Sequence, residues 1–102
     1  MQYYFSNKKL LDLYETGQNK KYKLEKNIIT EFIWLVSVID AAKNIHDFWG
    51  QPSLNFEKLQ GFKTRYSFRL TRKYRLEVDI EWEDKEQKVG IVGIDEISKH
   101  YQ

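Results

Sequence analysis

The chain has 102 residues, 41% of them hydrophobic and 16% aromatic, a composition that excludes an extended disordered polymer. It contains no cysteine, so disulfides, thiolate catalysis and cysteine-ligated zinc are excluded, and a reducing compartment suits it. Seventeen Lys and Arg against fifteen Asp and Glu leave a formal charge of +2, too small to name a partner by itself.

A chain of this length buries roughly 60–70% of its unfolded surface, enough for one modest core, so a single domain over residues 1–102 is expected. The opening residues lack the apolar run of a signal peptide, and no apolar stretch approaches the roughly 20 residues of a membrane span. A cytoplasmic domain with no membrane partner is therefore expected.

The segment Gln2-Tyr3-Tyr4-Phe5 is rich in strand formers and stops at Ser6-Asn7. Either Ser6 or Asn7 can cap a helix running from Lys8 to Thr16 and ended by Gly17, with Leu10, Leu11, Leu13 and Tyr14 as its apolar side. A polar connector over residues 18–23 follows. Leu24, Ile28, Phe32, Leu35 and Ile39 then recur at spacings of four, four, three and four, one face of a long helix reaching about Asn44. Ile29, Ile33 and Val36 widen that stripe, as packing against a sheet requires. Residues 46–55 hold Gly50 and the only proline, Pro52, and read as a long loop, with a helical turn at residues 56–59.

From Arg65 the period changes to two. Tyr66, Phe68 and Leu70 alternate with Arg65, Ser67 and Arg69. Tyr74, Leu76, Val78, Ile80 and Trp82 alternate with Arg75, Glu77, Asp79 and Glu81. A polar turn over residues 83–88 precedes a last strand over residues 89–96. The hairpin register follows from these faces. A two-residue turn at Arg72-Lys73 would set Leu70 against Arg75, placing a charge among apolar side chains. A three-residue loop over residues 71–73 sets Leu70 against Tyr74 and Phe68 against Leu76, and keeps the apolar side chains together. It also sets Arg65 opposite Asp79 and Arg69 opposite Arg75. The second pair is unfavourable by a few tenths of a kcal/mol unless an anion sits between the two guanidinium groups. Facing arginines on an open sheet face suit a phosphate.

Charge is segregated along the chain. Residues 58–75 carry Lys58, Lys63, Arg65, Arg69, Arg72, Lys73 and Arg75 and no carboxylate, whereas residues 77–86 carry six carboxylates and one lysine. A basic ribbon with tyrosines inside it is a surface that meets phosphate. The acidic run reads as a solvated strand face and turn, or as a receiver for a basic partner segment. Tyr66 and Tyr74 read as core.

The order of a strand, two helices and an antiparallel three-stranded meander packed on them is an α+β arrangement that resembles the RelE superfamily of bacterial toxins, and within it the HigB-like plasmid-maintenance killer branch. The residues carrying the resemblance are Val38-Ile39-Asp40-Ala41-Ala42-Lys43, Leu59-Gln60-Gly61, Arg65-Tyr66-Ser67-Phe68-Arg69-Leu70 and Lys73-Tyr74-Arg75-Leu76. It covers nearly the whole chain.

The resemblance implies the toxin of a type II toxin–antitoxin module, a ribosome-dependent mRNA endonuclease neutralised by a HigA-like helix-turn-helix antitoxin. Such cleavage without a metal uses the RNA 2′-OH as nucleophile and needs an acid, a base and a cation for the phosphorane. His100 has the imidazole for proton transfer, Arg69 and Arg75 suit the scissile phosphate, and Tyr101 suits stacking on a base or positioning a proton. Lys58, Lys63, Arg65, Arg72, Lys73 and Lys99 are the expected RNA-backbone contacts. No cofactor or metal is expected, because His46 and His100 stand far apart with no carboxylates at ligand spacing. Two other readings fit the same fold: a ParE-like non-enzymatic inhibitor of DNA gyrase, and a module that only binds a partner.

Overall fold

Residues 1–99 are described by the structure, a computed structural model. The chain begins with β1 (Tyr3–Phe5), then α1 (Lys8–Thr16) and α2 (Lys26–Ala41). A short α3 (His46–Trp49) and a 3₁₀ turn (Pro52–Leu54) lead into β2 (Glu57–Lys58), β3 (Arg65–Arg69), β4 (Tyr74–Trp82) and β5 (Gly90–Lys99). The five strands form one sheet in the order β1-β5-β4-β3-β2. Strands β3, β4 and β5 are the expected antiparallel meander, and β1 adds to β5 in parallel. No helix among the described residues is long and apolar enough to cross a membrane.

Local chemistry sets the first helix. Asn7 Oδ1 accepts the Lys9 amide at 2.9 Å, satisfying one of the amides a helix start leaves without a partner. Gly17 closes the helix at φ 79, a left-handed conformation that costs glycine little, and its amide donates to Leu13 O at 2.9 Å. The long helix is shorter than its apolar stripe suggests. It stops at Ala41 because the next carboxylate and amide side chains offer other bonds. Asp47 accepts the Lys43 amide at 2.7 Å and Asn44 accepts the His46 amide at 2.8 Å. Ile28, Phe32, Leu35, Val36 and Ile39 are buried as expected, but Ile33 faces solvent.

Residues 46–55, expected as a loop, instead carry α3 and the 3₁₀ turn, pinned by fully buried Phe48 and Leu54. Residues 56–59, expected as a helical turn, instead contain β2, which pairs Glu57 with Ser67 and Lys58 with Tyr66. The cause is long-range. The Phe56 ring stacks on Tyr66 at 5.3 Å and meets Phe68 at 4.8 Å, which draws this segment out along β3.

The β3–β4 register is the expected one: Phe68 faces Leu76, Arg65 faces Asp79 and Arg69 faces Arg75. Leu70 and Thr71 both donate backbone amides to Tyr74 O, which closes the short loop. The last strand extends three residues beyond its expected end. It also contains a bulge, since Glu77 pairs with Glu96 while the adjacent Val78 pairs with Ile94. The extra residue is Asp95, and the bulge lets Ile94 and Ile97 both stay in the core despite their odd spacing.

The core lies between the helices and one sheet face. Its densest part is aromatic, with Phe68 fully buried and edge-on to Phe48 at 4.9 Å. Phe68→Ala is expected to cost about 3–5 kcal/mol through lost burial and the cavity left behind. Urea unfolding at equilibrium measures it, and a loss below about 1 kcal/mol would show that the aromatic cluster is not the centre of the fold.

Candidate nucleic-acid interface

The sheet face away from the helices is charged. At its centre, Arg65 Nε lies 3.2 Å from Glu77 Oε1, Nη1 2.8 Å from Asp79 Oδ2 and Nη2 2.7 Å from Asp95 Oδ2. The Arg65 side chain is only 16% exposed. Arg65 is one of the residues expected to contact RNA. The Arg65 guanidinium faces three carboxylates, which leaves it little to offer a phosphate. Burial alone would lower its pKa, but the bonds to Asp95 and Glu77 outweigh that and raise it. Burial likewise pushes the Asp95 carboxyl up, and the hydrogen bonds from Arg65 and Ser6 outweigh it, so Asp95 is held below its usual range.

Arg69 and Arg75 behave differently. They sit directly opposite each other at the turn end of the sheet, on this same open face. Arg75 is half-buried; its Nε donates to Ser98 Oγ at 3.2 Å and lies 3.6 Å from Glu77 Oε2. Ser98 in turn donates to Glu77 Oε2 at 2.6 Å. Arg69 is exposed and has no side-chain hydrogen bond or ion pair among the described residues. Both line one cleft of about 240 Å³ together with Asn55, Glu57, Ser67 and Arg72. Thr71 and Tyr74 complete its walls.

Glu57 was not foreseen as a site residue. It reaches this cleft because β2 pairs it with Ser67, and a two-residue strand leaves no periodic trace in the sequence. The signal that could have found it is Phe56, an apolar residue after a proline-containing stretch, able to anchor an extra strand. Asn55 contributes a left-handed turn at φ 44 just before it. Tyr74, expected in the core, is half-buried and doubles as a cleft wall.

The other expected RNA contacts scatter. Arg72 lines the cleft, and Lys73 is exposed at the tip of the same turn. Lys99 is exposed at the end of β5, opposite Tyr74. Lys58 pairs with Tyr66 near the other end of β3, and Lys63 lies in the loop before Arg65, so neither joins the arginine cleft. His100 and Tyr101 lie outside the described residues.

No protein-family model matches the sequence. No curated protein matches it either. Among solved structures, the chain is similar to a YoeB/ParE toxin from Agrobacterium tumefaciens, with 16% identity and a TM-score of 0.55. The match covers 99% of this chain and all of that one. The chain therefore has the fold of the RelE/ParE-like toxins, as its element order suggested.

Because folding lowers the Asp95 pKa, its ion pair stabilises the native state fully above the unfolded carboxylate range and loses that contribution as pH falls through the folded value. Asp95→Asn should therefore flatten the loss of stability below about pH 4. Urea midpoints measured across that range test it. Equal slopes for both proteins would show that Arg65 does not hold Asp95 ionised.

Proposed function

We propose that this protein is the toxin of a type II toxin–antitoxin module and acts as a ribosome-dependent, metal-independent mRNA endonuclease. The observation that carries the reading is the facing pair Arg69 and Arg75 sharing one open cleft with the Glu57 carboxylate. The fold shared with a YoeB/ParE toxin supports it, and the pattern over residues 65–76 is the reason for favouring a HigB-like lineage. A HigA-like antitoxin, the ribosome and mRNA are the partners this reading implies.

The chemistry follows from the groups present. The scissile phosphate sits between the two guanidinium groups, which neutralises their mutual repulsion and stabilises the extra negative charge of the phosphorane. Glu57 accepts the proton of the 2′-OH as that oxygen attacks phosphorus. The bond from phosphorus to the 5′ oxygen breaks, leaving a 2′,3′-cyclic phosphate. His100 supplies the proton that the departing 5′ oxygen requires, and Tyr101 stacks on the adjacent base. Arg72 and Lys73 hold flanking backbone.

Purified ribosomes translating a defined mRNA, with cuts read by primer extension, test this. Discrete cuts that need both ribosome and protein are expected. Arg69→Ala, at an exposed position with little packing, should abolish cutting and growth inhibition while the melting temperature stays put. Glu57→Gln and His100→Gln should each slow cutting by about 10²–10⁴ with ribosome binding retained. Inhibition of DNA gyrase without any mRNA cutting would instead favour a ParE-like binding toxin on the same fold.

A further inference from the structure

A second cleft opens beside the end of β5. Lys21, Lys23, Tyr74, Ser98 and Lys99 are among its walls. Two of these lysines belong to the run Lys20-Lys21-Tyr22-Lys23 between α1 and α2. Within that run Tyr22 alone is buried. Its hydroxyl donates to Glu96 Oε1 at 2.5 Å and accepts from Asn7 Nδ2 at 2.9 Å. Those bonds fasten the run to β5 by its tyrosine, and the exposed lysines on either side project into solvent. Lys21 Nζ stays 5.4 Å from the Tyr22 ring centre.

The nearby carboxylates are already committed. Glu96, which lines the cleft, also accepts the Ile97 amide at 3.0 Å besides the Tyr22 hydroxyl. Asp95, close enough to feel the charge of Lys21, is held by Arg65 at 2.7 Å and Ser6 at 2.9 Å. Among the described residues none of Lys21, Lys23 and Lys99 forms a salt bridge. The cleft is cationic because three lysines stand against the one carboxylate of Glu96 among its walls.

It also adjoins the arginine cleft at the end of the sheet. Tyr74 lines both, and Lys99 pairs directly with Tyr74 across the strands. Ser98, a wall of the second cleft, bonds Arg75, a wall of the first. Cations, then an aromatic ring, then cations is the sequence of surfaces met by a polymer that alternates phosphates with stackable bases. We infer that Lys21, Lys23 and Lys99 form a second phosphate subsite, which takes the backbone of single-stranded RNA as it passes from the arginine cleft across Tyr74. This inference rests on the RNA reading above and adds residues outside its reacting groups.

The test compares Lys21→Ala/Lys23→Ala with Lys8→Ala/Lys9→Ala, which removes the same charge from exposed positions at the start of α1. Both are assayed with a labelled single-stranded RNA of about 12 nucleotides, long enough to span two subsites, and with a dinucleotide. Anisotropy is read across a salt series, alongside ribosome-dependent cutting. Losing two phosphate contacts should weaken the longer RNA roughly tenfold or more and lower the slope of log K on log salt by about 1.4. The dinucleotide should bind as before, and the α1 variant should match wild type. Equal effects of the two variants, or an unchanged slope, overturn the subsite even if mRNA is cut normally, in which case the nuclease reading stands. Lysine-dependent RNA binding by a protein that cuts no mRNA sustains the subsite and defeats the nuclease reading. An acidic peptide that binds through these lysines while RNA does not would also overturn it, marking the cleft as a protein-binding surface.

Discussion

The guanidinium of Arg65 reaches Glu77 and Asp79 on β4 and Asp95 on β5, and so joins three strands through one cation. Without it, three carboxylates would crowd one patch of sheet and repel one another. Ion pairs of this kind add modest stability, since each charge gives up water to make them. Their larger effect is on register. A slip of one residue in β3 would turn Arg65 toward the core and leave the carboxylates unpaired, so the slipped pairing is heavily penalised. The bulge at Asp95 belongs to the same arrangement, because it turns that side chain toward Arg65 while Ile94 and Ile97 remain inside.

Everything at the turn end of the sheet inherits that register. Arg69 and Arg75 meet only because Arg65 and Asp79 meet four residue pairs away on the same strands. The two ends then differ in electrostatic character. At the Arg65 end, one cation is matched by several anions. At the Arg69 end, Glu77 and Ser98 hold the Nε side of Arg75, while Arg69 has no such partner among the described residues. Glu77 serves both ends, with one oxygen toward Arg65 and the other toward Ser98 and Arg75. The sheet therefore holds two like charges face to face and supplies a carboxylate to Arg75 alone, which leaves the Arg69 guanidinium for an external anion.

Much of this could be read from residue order, and the reasons for the failures are physical. Period-two alternation and the preference for apolar side chains on one face were sufficient for β3, β4 and their register. Helix α1 carried its start and stop signals locally, in Asn7 and Gly17. The extent of α2 was overestimated because Asn44 and Asp47 compete for backbone amides, an effect that periodicity does not register. Strand β2 was missed because its cause, Phe56 packing on Tyr66 and Phe68, is tertiary, and Glu57 was lost with it. Arg65 was assigned to RNA with the rest of the basic run; its pairing with Asp79 followed from the register, but the added bonds to Glu77 and to Asp95 at the bulge did not. Folding lays one strand of each against the other, so part of that segregation is consumed inside the sheet.

The formal charge of +2 accordingly understates what a polyanion would meet. Glu77, Asp79 and Asp95 are turned toward Arg65. Asp84 is held below its usual range by the backbone amides of Val89 and Lys88, and Glu96 by contrast is occupied with the Tyr22 hydroxyl. Burial and the adjacent Glu96 raise the Tyr22 pKa, so that hydroxyl stays a neutral donor. Three of these carboxylates converge on Arg65, whereas the exposed Arg69, Arg72, Lys21, Lys23 and Lys99 side chains gather at the β3–β4 turn and the end of β5. Summed over the molecule the charges nearly cancel; summed over the surface that leads from the β3–β4 turn to the end of β5, they do not. Steering depends on the second sum, because screening confines each charge to roughly 8–10 Å at ordinary salt. A near-neutral protein can thus present a local cationic track where its fold gathers the cations on one stretch of surface.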